Sequence, residues 1–147
     1  MNLNDDAIWL IFDPWTSQPE PHNTVYVNNI NDYFCHKIHE YMKDVKHKFV
    51  VMHNKERNAY GVNELLKELP QITHEEIPNL LEPITSVVYA GFHYGRCPID
   101  REYSGAKFMK QHNHKLNIYF KKDLLCLLPG DSWLEMDKKT KEYGELI

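Results

Sequence analysis

Cys97 closes the segment Ala90-Gly91-Phe92-His93-Tyr94-Gly95-Arg96-Cys97, where an apolar run breaks on glycine and the next residue is Pro98. Proline suits the first turn of a helix, because the N–H it lacks has no intrahelical partner there. The pattern predicts a helix from Pro98 to about Lys110 with Cys97 at its N-terminus. Unpaired N–H groups and the positive end of the helix dipole would favour a thiolate at that place, below the reference pKa of about 8.5. The chemistry to expect is nucleophilic attack by sulfur. A nucleophilic thiol needs a base in hydrogen-bond reach, and Asp13 is the candidate, standing where the apolar run Ala7 to Phe12 ends ahead of Pro14. Both residues also have plainer readings. Free cysteine is among the most buried residue types, and an aspartate before proline serves many turns through local backbone bonds.

The elements that must position these groups alternate. The first apolar run reads as a central strand, with Pro14 holding Asp13 extended. Residues Trp15 to Val27, with Pro19 and Pro21, read as an exposed loop able to cover a cleft. Asn29 can cap a helix with an apolar stripe of Ile30, Tyr33, Phe34, Ile38, Tyr41, Met42 and Val45. Lys48 to Met52 follows as a strand ending at His53. Short helices are expected at Val62 to Leu69 and Glu75 to Leu81, then strands at Val87 to Phe92 and Leu116 to Phe120. A second apolar run spans Leu124 to Leu128, and Asp131 or Ser132 can cap a last helix carrying Trp133, Leu134, Met136 and Tyr143. Nearly all-apolar strands alternating with helices argue for a largely parallel sheet covered on both faces, a three-layer αβα, Rossmann-like α/β fold. Such sheets carry their sites at the carboxyl ends of strands, where Asp13, His53 and the Cys97 turn all fall.

The 147 residues, 42% hydrophobic and 12% aromatic, suffice for one domain over residues 1–147 with a real core. A net charge of −4 with both signs interspersed leaves no basic footprint for nucleic acid and no polybasic stretch for a membrane. The first six residues are polar, and no apolar run nears the roughly 18 residues that span a bilayer, so a cytoplasmic location is expected. Cys35, Cys97 and Cys126 are odd in number and without CxxC spacing, which points to free thiols. Cys35 and Cys126 read as core residues.

The strand-end aspartate, a basic residue after the second strand and the Gly-x-x-x-x-x-Cys turn from a later strand together resemble the isochorismatase-like cysteine hydrolases, over roughly residues 7 to 128. Pro14-Trp15 and Pro98 depart from the pairs that usually follow the family's aspartate and cysteine. The resemblance implies that Cys97 is the nucleophile, that Asp13 takes its proton and later activates water, and that a lysine favours thiolate and orients Asp13. Lys55 is its nearest counterpart and Lys67 the other. Backbone N–H groups around Arg96 and Cys97 would bind the developing oxyanion. The implied reaction is hydrolysis of a small amide, imide or related C–N bond through a thioester. The alternative is an inactive binding or interaction protein on the same fold. Trp15, His93, Tyr94 and Arg96 are the expected substrate contacts, with filling of the space above the sheet or a surface ion pair as their structural readings. The family's nicotinamidase branch holds a metal, but no Asp-x-His pair accompanies His53, so neither a catalytic metal nor another cofactor is expected. The expected partner is a small-molecule substrate, and a homo-oligomer that completes the site is left open.

Overall fold

The computed structural model describes residues 7–53, 61–81 and 83–147. Lys55 therefore lies outside the described residues. Six strands form one sheet in the order β3-β2-β1-β4-β5-β6: β1 Ile8–Phe12, β2 Lys48–His53, β3 Gln71–Thr73, β4 Ser86–Phe92, β5 Asn117–Cys126 and β6 Glu145–Leu146. Every pairing is parallel. The chain starts in the middle of the sheet, builds outward to β2 and β3, then returns to the other side of β1 for β4. That reversal opens a crevice between the carboxyl ends of β1 and β4, the usual seat of a ligand in such sheets.

Period-two alternation splits the strand residues between two faces. Trp9, Ile11, Val51, Val88 and Ala90 pack beneath helix α1, Val25–Lys43, with Cys35 and Ile38. Leu10, Phe12, Met52, Val87 and Tyr89 face Ile77, Ile99, Ala106 and Met109. Those four come from α2 Ile77–Leu80, α3 Cys97–Asp100 and α4 Ala106–His112, and Met136 of α5, Trp133–Lys141, joins them. The result is the three-layer α/β arrangement read from the strand composition. No helix among the described residues is long and apolar enough to cross a membrane.

Several local expectations are corrected. Helix α1 starts earlier than Asn29, with the Thr24 hydroxyl accepting the Val27 N–H at 3.1 Å. Its inward residues are Val27, Asn31, Cys35 and Ile38, while Tyr33 is 62% exposed. Between Val62 and Leu69 only a 3-10 turn forms, Glu64–Leu66. The helix expected from Pro98 to Lys110 is two pieces, because Gly105 touches the backbone of the first: a Cβ there would lie 2.6 Å from the carbonyl oxygens of Ile99 and Arg101. The run from Leu124 joins β5 instead of standing apart, with a register shift opposite Tyr89 to Gly91.

Candidate active site

Strand β1 delivers Asp13 and strand β4 delivers the Cys97 turn, and the two strands are neighbours in register, with Phe12 opposite Gly91. The approach is close. A Cβ on Gly91 would lie 2.5 Å from the Phe12 oxygen and 2.6 Å from its nitrogen, and Gly91 has φ +99°, a conformation glycine alone adopts cheaply. Asp13 is not extended as the following proline suggests. It has φ +49°, which turns the chain off the sheet edge as the Trp15 N–H donates to the Asp13 carbonyl at 2.7 Å. Aspartate tolerates this region better than most residues.

Asp13 and Cys97 line the same cavity of about 300 Å³, together with Trp15, His22, His93 and Arg96. Its outer wall is the loop between β1 and α1, the cover expected from its prolines. The loop is pinned where the Gln18 N–H donates to Asn28 Oδ1 at 2.9 Å and its side-chain amide donates to the Asp13 carbonyl at 3.2 Å. Trp15 is 3% exposed. Cys97 is half-buried, whereas Cys35 and Cys126 are buried. Desolvation drives the Cys35 thiol pKa up and pushes that of Cys126 up to about 12.

The thiol's helix is a single turn of four residues, so the dipole expected from a long helix is largely missing. The Arg96 N–H, one of the expected oxyanion donors, donates to the His93 carbonyl at 3.0 Å in a turn closed by Gly95 at φ +76°. His93 is 7% exposed and its Nε2 lies 3.3 Å from Asn31 Oδ1. Burial lowers its pKa to about 3, with His22 adding to the shift, so the ring is a neutral hydrogen-bonding group in the cavity wall.

The other expected residues separate. Tyr94 is fully buried on the opposite face of the sheet, where its hydroxyl donates to Asp137 and its ring packs on Trp133, and it does not line the cavity. Lys67 pairs with Glu64 on an exposed turn away from the cavity. Arg96 does line it, and its fork closes on Asp131, Nε to Oδ2 at 2.9 Å and Nη2 to Oδ1 at 2.5 Å. That hydrogen bonding holds the Asp131 carboxyl below its usual range.

Sequence reasoning considered Asp131 only as a helix cap. The cap is Ser132, whose hydroxyl accepts the Glu135 N–H at 3.3 Å. Asn31 was missed as well, though a polar residue four before Cys35 and seven before Ile38 on the buried face is a signal that can be read. Among the described residues no three His, Cys, Asp or Glu side chains converge to hold a metal ion.

No family model matches the sequence, and no curated protein matches it. Solved structures do match the fold. An isochorismatase-like hydrolase from Alkaliphilus metalliredigens aligns over 96% of this chain and 93% of its own, with a TM-score of 0.62 at 13% identity. A pyrazinamidase from Pyrococcus horikoshii, solved with zinc, aligns over 97% and 98%, with a TM-score of 0.62 at 12% identity. A MAR1 ribonuclease from Caenorhabditis elegans aligns over 100% of this chain and 79% of its own, with a TM-score of 0.63 at 13% identity. At such identities the likeness speaks for architecture alone, and the chain has the fold of the isochorismatase-like hydrolases.

Proposed function

We propose that the protein is a cysteine-dependent hydrolase that opens a small amide, imide or related C–N bond through a thioester on Cys97. One observation carries this reading: Asp13 and Cys97, eighty-four positions apart in the chain, line a single cavity at the sheet's central crevice. A volume of about 300 Å³ suits a small molecule. Asp13 takes the thiol proton as sulfur attacks the carbonyl carbon, and returns it to the departing amine. Water, deprotonated by the same carboxylate, then cleaves the thioester, releasing the acid and restoring the thiol. Lys55, by its position in the resemblance, favours the thiolate and orients Asp13. Trp15, His93 and Arg96 contact the substrate. The partner is a small molecule and not nucleic acid or membrane, and the setting is cytoplasmic.

The inactive binding protein is the second reading, and the engagement of the Arg96 N–H with the His93 carbonyl favours it, because a working oxyanion site needs its donors aimed at the substrate. A screen of small primary amides with ammonia detection separates the two. The hydrolase releases ammonia from at least one amide, and Cys97→Ala abolishes the release. Ammonia release that survives Cys97→Ala, or none from any amide that binds, rejects the thioester route.

A further inference from the structure

Arg96 is the one lysine or arginine among the described residues that line the cavity, and its charge is already answered. Both oxygens of Asp131 meet its guanidinium in the two-bond geometry that a substrate carboxylate would otherwise use. The arginine side chain is 51% exposed and the aspartate 10%, so the carboxylate lies on the protein side of the pair and the arginine extends over the cavity. The other lining groups able to carry charge among the described residues are the acids Asp13 and Glu20, the imidazoles of His22 and His93, and the Cys97 thiol. His93 adds no charge at neutral pH, because its ring is buried against Asn31.

We propose that Asp131 sets the charge preference of the cavity: by occupying the Arg96 fork it makes the site take uncharged amides and turn away those bearing a carboxylate. Asp131 acts through Arg96 and is a positioning residue. The inference rests on the hydrolase reading for its substrate and on the geometry alone for its charge selection. The selection is therefore testable without turnover.

Two alkylating probes of nearly the same size, neutral iodoacetamide and anionic iodoacetate, report it at Cys97 when rates are followed by peptide mass spectrometry. In the natural protein the ratio of iodoacetate to iodoacetamide rates at Cys97 falls below that of glutathione. Asp131→Asn, which leaves Arg96 charged and removes the answering charge and one of its two acceptors, raises the ratio about five-fold or more. Arg96→Gln lowers it, and in the Arg96→Gln background Asp131→Asn changes it less than about two-fold, the non-additivity expected of a residue that acts through another. Asp100→Asn removes a carboxylate that pairs with Lys139 and lines the neighbouring cavity on the other side of Cys97, and it changes the ratio less than about two-fold. A reactive Cys97 whose ratio ignores Asp131→Asn, or responds equally to Asp100→Asn, overturns the charge selection and leaves the hydrolase reading standing. A Cys97 inert to both reagents overturns both.

Discussion

Two cavities of almost equal size differ in what lines them, and of this pair only the first holds both a thiol and a carboxylate among the described residues. The first, about 300 Å³, lies at the carboxyl ends of β1 and β4 and contains Asp13 and Cys97. The second, about 310 Å³, lies at the amino end of β5, walled by Leu81, Met109, His112 and Leu116, with no thiol or carboxylate among the described residues that line it. Volume does not separate them; backbone does. Asp13, which lines the first, takes positive φ, as do Gly91 and Gly95 in the strand end and turn that lead to Cys97, whereas no described residue lining the second does. Unusual dihedrals gather where a strand must stop abruptly and aim a side chain into a crevice. The second cavity is what remains where α4 ends and β5 begins.

The contrast breaks most visibly at Asp13. Replacing the carboxylate by an amide removes the proposed base without changing its shape, and Asp13→Asn should lower turnover about 10²- to 10⁴-fold with little change in melting temperature. Comparable losses of rate and stability together would make Asp13 a turn residue. Gly91→Ala acts on the scaffold instead. Its methyl would meet the Phe12 backbone while forcing alanine to φ +99°, so a loss of about 3 kcal/mol or more is expected in denaturant titration. Met109→Ala, at the second cavity, should cost about 2–3 kcal/mol and leave turnover per folded molecule unchanged. A fall in turnover there would erase the distinction between the two cavities.

The smallest effect, when read over a single pH unit, concerns His93 in the wall of the first cavity. Its folded pKa is lowered from 6.5 to about 3 by burial, with His22 adding to the shift. The unfolded chain takes up this proton below about pH 6.5 and the folded one only near pH 3, so acid favours unfolding across that window. The contribution is complete above pH 6.5 and lost with a slope of up to about 1.4 kcal/mol per pH unit as pH falls. His93→Gln should flatten this part of the stability–pH curve. An unchanged slope would mean that His93 is hydrated and charged in the folded protein.

What sequence could and could not disclose follows from range. Strands β1, β2 and β4 and helix α1 are long and apolar on a fixed period, so local composition specifies them. Strands β3 and β6, of three and two residues, carry too little pattern and exist because a neighbouring strand offers its edge. The break between α3 and α4 depends on Gly105 meeting carbonyls of Ile99 and Arg101, a contact that periodicity cannot register. At the site, Asp13 and the Cys97 turn announce themselves by ending apolar runs. The partner of Arg96, Asp131, lies thirty-five positions on, beyond the reach of any local pattern. Tyr94 looked like a cavity residue because it is next to His93, yet the turn sends it to the other face of the sheet, against Trp133.

Rates of iodoacetamide labelling, mapped separately at the three cysteines as a function of pH, probe most directly whether Cys97 is an activated nucleophile. Cys97 should react alone in a fast phase with an apparent pKa clearly under about 8.5, and Asp13→Asn should shift that profile, while buried Cys35 and Cys126 stay silent until the protein unfolds. Slow labelling of all three, or a Cys97 that titrates like a free thiol and ignores Asp13→Asn, would contradict the pairing of that sulfur with that carboxylate.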